Sequence, residues 1–85
     1  MGLVNILEVF NTSLGIIAIM EFPIDVFPRI NLELEETKRN LWIKIIGIAF
    51  EKPKEFLDLN VFACQVELLN EHLLKSGDVL TIIDK

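Results

Sequence analysis

Residues 57 to 75, LDLNVFACQVELLNEHLLK, fit two incompatible structures. Leu59, Phe62, Val66, Leu69 and Leu73 recur at spacings of three and four, which lays an apolar stripe along one side of a helix, with Asp58 placed to cap it. Phe62, Cys64, Val66 and Leu68 also alternate with Ala63, Gln65 and Glu67, the period of two that a half-buried strand requires. Periodicity leaves both open, and the residues that follow weigh toward the strand. Ser76-Gly77-Asp78 supplies a tight turn in which Gly77 is free to take positive φ, and VLTII at 79 to 83 is strongly β-forming.

Working outward, the rest of the chain also speaks for strands. LVNILEVF at 3 to 10 is rich in β-branched and aromatic residues and runs into the turn cluster Asn11-Thr12-Ser13-Leu14-Gly15, a hairpin signal. The return run, Leu14 to Phe22, stops at Pro23, which cannot donate to a ladder. Pro23 and Pro28 bracket IDVF in a stiff, extended corner. From there Ile30, Leu32 and Leu34 alternate with Asn31, Glu33 and Glu35, which predicts a half-buried strand. After a polar turn at 37 to 40, LWIKIIGIAF at 41 to 50 gives a further strand. Plain alternation puts Leu41, Ile43, Ile45 and Ala49 on one side and Trp42, Lys44, Ile46, Ile48 and Phe50 on the other. Both sides are apolar, so either a local flap, EKPKEFLD at 51 to 58, or a partner is expected over the outer one.

The order Ile45-Ile46-Gly47-Ile48, then Val66-Glu67-Leu68-Leu69, then Asn70 to Ser76, then Gly77-Asp78 leading into Val79 to Ile83, resembles the second-domain β-barrel of elongation factor Tu and related translation GTPases. The match covers about half the chain in detail and the remainder as strand order. It departs from that pattern in having Gly15 alone after the first strand and no glycine in FPIDVFPR. The resemblance implies an all-β fold: a single domain over 1–85, a small closed or nearly closed antiparallel barrel of about six strands. It also implies a one-turn helix in Asn70 to Lys75 before the last strand, with Leu73 or Leu74 plugging the barrel end. The alternative is an α+β domain with one helix over 57–75 on an antiparallel sheet.

Eighty-five residues with 52% hydrophobic content make one small core. The single Cys64 forms no internal disulfide, which suits a reducing interior, and the first ten residues lack the basic stretch of a secretory signal, so a cytoplasmic location is expected. Met1-Gly2 opens like a myristoylation site, but Ile6 stands where that pattern wants Ser or Thr. LGIIAIM and LWIKIIGIAF are far shorter than the ~20 residues of a spanning helix, and no membrane partner is expected. Eight Lys and Arg against thirteen Asp and Glu give a net charge of −5, which disfavours direct nucleic-acid binding and favours a basic protein partner.

Catalytic chemistry is thin. No phosphate-binding glycine loop precedes Lys75-Ser76, and one His and one Cys do not make a metal set, so neither cofactor nor metal is expected. Ser76, His72 and Asp58 can be drawn as a triad, but Ser76 belongs to a turn that wants Ser for its own hydrogen bonds. The expectation is a non-enzymatic binding module. Its first form is a toxin-neutralising immunity protein of a bacterial toxin system such as contact-dependent growth inhibition, meeting a basic partner such as a nuclease toxin. The others are a translation-factor-like accessory domain binding ribosome-related protein or RNA, and a self-associating module forming a homodimer through Trp42. The partner-binding candidates are Glu33, Glu35 and Glu36 for charge, and Trp42 and Phe50 for apolar contact.

Overall fold

A computed structural model of the chain describes residues 2–36, 38–49, 60–70 and 73–83. They form six strands, β1 (Leu3–Thr12), β2 (Gly15–Glu21), β3 (Glu33–Glu36), β4 (Leu41–Ala49), β5 (Val61–Leu68) and β6 (Val79–Ile83). The strands close into a barrel in the order β1-β2-β5-β4-β3-β6, every neighbouring pair antiparallel. Among the described residues there is no helix, and so none long and apolar enough to cross a membrane. Residues 61 to 68 are therefore strand, and the single helix over 57–75 is excluded. A barrel without edges uses every ladder position, and β5 is needed to join β2 to β4. The expected one-turn helix falls partly on Glu71 and His72, outside the described residues; Leu73 to Lys75 have no regular structure.

The core is the inner face of the ladder. Val4 and Ile6, Ala18 and Met20, Cys64 and Val66, Ile43 and Ile45, Leu34 and Leu80 point inward from the six strands and are fully or nearly fully buried. Two bulges bend the sheet into closure. In β1 the register slips between Ile6 and Glu8, leaving Leu7 as the extra residue; the slip turns Glu8 outward and Val9 toward the core. In β4 it slips between Ile45 and Gly47, with Ile46 as the extra residue. This corrects the plain alternation read from the sequence: beyond the bulge Ile48 pairs with Cys64 and packs on the core, while Ala49 is exposed.

Drawn with β1 rising, β2, β4 and β6 descend, so the crossover from β2 to β3 closes the bottom and that from β5 to β6 closes the top. The bottom crossover contains two turns of one design. In Pro23-Ile24-Asp25-Val26 and Arg29-Ile30-Asn31-Leu32 the fourth amide donates to the first carbonyl, at 3.1 and 3.2 Å, and the third residue has positive φ, 69° at Asp25 and 72° at Asn31. Asp and Asn tolerate that conformation better than other side chains, which is why the chain turns here without glycine. The second turn interrupts the predicted strand: Leu32 and Leu34 are buried as expected, but Ile30 sits at a turn tip, exposed, and β3 starts only at Glu33.

At the top, Leu74 is 7% exposed and belongs to the core while Leu73 is 70% exposed, so Leu74 is the plug. Its loop is fixed by Asp78, whose carboxylate takes an ion pair from Arg39 and accepts the Lys75 amide at 2.8 Å. Arg39 also donates from Nη2 to the Leu73 carbonyl at 3.0 Å. Gly77 has the expected positive φ, 93°, and its amide donates to the Ile6 carbonyl at 2.8 Å.

Candidate recognition surface

The outer face of β3, β4 and β5 carries most of the sequence-derived candidates. Register sets Glu35 opposite Trp42, Glu33 opposite Lys44, and Lys44 opposite Glu67. Trp42 Nε1 donates to Glu33 Oε1 at 2.9 Å, diagonally across the ladder, while the Trp42 carbonyl accepts the Leu69 amide at 2.8 Å. The indole is thus held in place and still 38% exposed. Lys44 Nζ lies 3.8 Å from Glu67 Oε1, so one ammonium stands among Glu33, Glu35 and Glu67 and the face stays net acidic. Ile46, outward as alternation with Trp42 and Lys44 predicts, adds an exposed aliphatic group beside it.

Two candidates do not join this group. Glu36 pairs with Leu41, which is buried, so its register puts it on the Leu34 side of β3, at the upper rim, and not in the row with Glu33 and Glu35. Three carboxylates within four positions of a strand cannot all share one face, so Glu36 stands apart from the other two. Phe50, and the flap expected at 51 to 58, lie outside the described residues.

Next to the acidic face runs a groove of about 280 Å³, lined by Ile17, Gly47, Ile48, Ala49, Ala63 and Gln65. Small residues make its floor: Gly47 and Ala49 of β4 face Gln65 and Ala63 of β5, and a methyl group at Gly47 would come within 3.2 Å of Gln65 Cβ. Gln65 Nε2 donates to the Leu14 carbonyl at 2.6 Å, which ties this polar lining residue to the β1–β2 turn. Among the described residues the lining holds no ionisable group, and these residues suit an aliphatic or aromatic side chain. The sequence signal for it was Gly47 inside a strand, which marks a bulge or a close approach. Glu67 was missed because its place beside Lys44 depends on the β4–β5 register.

Elsewhere among the described residues, Cys64 and Ser76 are both occupied. Cys64 is fully buried and its thiol is pushed up from 9.0 to about 12 by loss of solvent, so thiolate chemistry is suppressed. Ser76 Oγ donates to the Leu7 carbonyl at 2.7 Å, so its hydroxyl ties the turn to β1, 69 residues away in sequence, and does not make the local turn bond expected of it. His72 and Asp58 lie outside the described residues. Among the described residues no three His, Cys, Asp or Glu side chains converge as a metal set would. Compared with models of protein families, with curated proteins and with solved structures, the chain matches none of them.

Proposed function

We propose that this chain is a non-enzymatic protein-binding module whose outer β3–β4–β5 face receives a basic protein, and that it serves as a toxin-neutralising immunity protein in the bacterial cytoplasm, with a basic nuclease toxin as its partner. The observation that carries the reading is Trp42: an indole fixed by Glu33, with Glu35 opposite it and the Lys44–Glu67 pair two residues further down β4 on the same face, while the apolar groove opens lower still, from Gly47. Tryptophan anchors are enriched where binding energy concentrates, and a pre-fixed one loses little freedom on docking. The carboxylates around it steer a basic surface into register, and with a net charge of −5 the whole molecule adds to that attraction.

The test is titration calorimetry against the toxin-like product of a neighbouring gene. Binding on the nanomolar scale that weakens as salt rises, and that falls by about 30-fold or more in Trp42→Ala, supports the reading. No binding to any neighbouring-gene product removes it. A second reading, a translation-factor-like accessory domain, follows from the resemblance to the elongation factor Tu barrel; Leu74 closing the barrel beside the Gly77-Asp78 turn favours it. Recovery of ribosomal components that survives nuclease treatment selects this reading over the first.

A further inference from the structure

The ladder closes the barrel, but β1 runs on past the point of closure. Its lower half, Leu3 to Asn5, pairs with β6. The contact continues through Ile6, whose amide donates to the Asp78 carbonyl and whose carbonyl accepts the Gly77 amide, both at 2.8 Å. It ends at Leu7, the bulged residue, whose carbonyl accepts Ser76 Oγ at 2.7 Å. Beyond it, residues 8 to 12 have β2 as a ladder neighbour on one side, and among the described residues no strand on the other. Across the two-residue loop Ser13-Leu14, the closing pair Thr12 and Gly15 exchanges both backbone bonds, and at alternate positions so do Phe10 with Ile17 and Glu8 with Ile19. The amides and carbonyls of Val9 and Asn11 therefore point away from β2, and among the described residues no backbone bond meets them.

Such an edge fixes the chemistry of what covers it: two amides and two carbonyls in one row are met by another extended backbone. Edges are commonly blunted by Lys or Pro, and residues 8 to 12, EVFNT, hold neither. Antiparallel pairing is two-fold symmetric in itself, since each strand donates and accepts at the same positions, so an edge strand complements its own copy without any symmetry of sequence. The register follows from the space. The open stretch is bounded below by Ser76 on Leu7 and above by the turn at Ser13, and the antiparallel overlap that uses all five residues centres on Phe10. Val9 of each copy then exchanges both bonds with Asn11 of the other. Phe10, 48% exposed, falls beside Phe10 of the other copy in a position without backbone bonds, where facing side chains come closest. Glu8 carries the charge of this stretch, and it falls opposite Thr12 of the other copy, away from a second carboxylate.

We propose that the open edge of β1, residues 8 to 12, pairs antiparallel with the same edge of a second copy of this chain, joining two barrels through one continuous sheet with the two-fold axis at Phe10. Four backbone bonds and one pair of phenyl rings fall well short of the ~800 Å² per partner of a standard interface, so the dimer is weak, with a Kd on the order of 100 μM. The contact lies on β1 and leaves the Trp42 face free, so either can fail without the other.

Sedimentation equilibrium of the full chain from about 1 μM to 1 mM brackets such a contact. A reversible monomer–dimer equilibrium is expected, unchanged in Trp42→Ala. Val9 packs on the core, so the exposed Asn11 is the position to substitute. Asn11→Pro removes an outward amide and spares the bonds to β2, as proline on an edge strand does. It is expected to keep the far-ultraviolet circular dichroism of the parent and to weaken self-association by about tenfold or more. Phe10→Cys is expected to form a cross-linked dimer with oxidised glutathione, because two cysteines facing each other at that position lie within disulfide reach. Thr12→Cys, roughly 13 Å from its counterpart in this register, is expected to cross-link no more than the parent chain with its buried Cys64. The cross-linking pair decides the matter even where Asn11→Pro unfolds. A chain monomeric up to 1 mM, a dimer indifferent to a folded Asn11→Pro, cross-linking no greater at Phe10→Cys than at Thr12→Cys, or a dimer lost in Trp42→Ala overturns the proposal; the first outcome leaves the edge to an extended segment of an unlike protein.

Discussion

Removing the Asp78 carboxylate should loosen the top of the barrel by about 3 kcal/mol. The side chain of Asp78 is 5% exposed and that of its partner Arg39 32%, so the pair is buried on one side only. In Asp78→Ala the Lys75 amide loses a charged acceptor 2.8 Å away, which costs about 1.5 to 2 kcal/mol. The ion pair adds about 1 kcal/mol, reduced from the fully buried case because Arg39 turns partly to water. Asp78→Asn keeps an acceptor for Lys75 but not the charge, and should lose about half as much. Arg39→Ala should cost about 2 kcal/mol, since it strands a buried carboxylate and releases the Leu73 carbonyl. Thermal unfolding followed by far-ultraviolet circular dichroism reads these as Tm drops, roughly 12 to 24 °C for Asp78→Ala in a chain of this size. The double variant should fall less than the sum of the singles. A loss below about 0.5 kcal/mol for Asp78→Ala would refute the claim that this carboxylate pins the crossover.

Further outcomes follow from the same structure. Leu74→Ala should destabilise by roughly 2 to 4 kcal/mol in urea titration, whereas Leu73→Ala should change stability by less than about 0.5 kcal/mol, because only Leu74 fills the barrel end. Gly77→Val should cost about 1 to 3 kcal/mol through backbone conformation alone: φ is 93°, and a methyl group there meets no atom within 4 Å. Since burial raises the Cys64 pKa from 9.0 to about 12, the unfolded chain loses its thiol proton first as pH rises. Stability is therefore undiminished by this group below pH 9 and declines between 9 and 12, by at most about 1.4 kcal/mol per pH unit, a slope that Cys64→Ala should lack when unfolding is compared at pH 8 and 10.5. Alkylation of Cys64 at pH 8 should likewise follow global unfolding.

Much of the fold is legible in local sequence. The β1–β2 hairpin announces itself in Thr12 to Gly15, where Thr12 Oγ1 donates to the Gly15 carbonyl at 2.7 Å and accepts the Leu14 amide at 3.1 Å. The Gly77 turn and the β-branched run of β6 are equally local. What local pattern misses is phase. Nothing near Leu7 marks the bulge that turns Glu8 outward, and the left-handed Asn31 breaks an alternation that Ile30, Leu32 and Leu34 otherwise complete. The recognition face is half legible for the same reason. Trp42, Ile46, Glu33 and Glu35 follow from alternation within β3 and β4, while Glu67 and the groove depend on the pairing of β4 with β5, which the chain achieves only by bringing distant segments together.

The whole account rests on closure of the barrel by β6, which lies between the first strand and the third. Nuclear Overhauser spectroscopy on the labelled chain tests this directly. Cross-strand contacts are predicted from β6 in both directions, between Val4 and Leu80 on one side and between Leu34 and Ile82 on the other. Contacts to one neighbour only, or helical sequential contacts through residues 61 to 68, would contradict it.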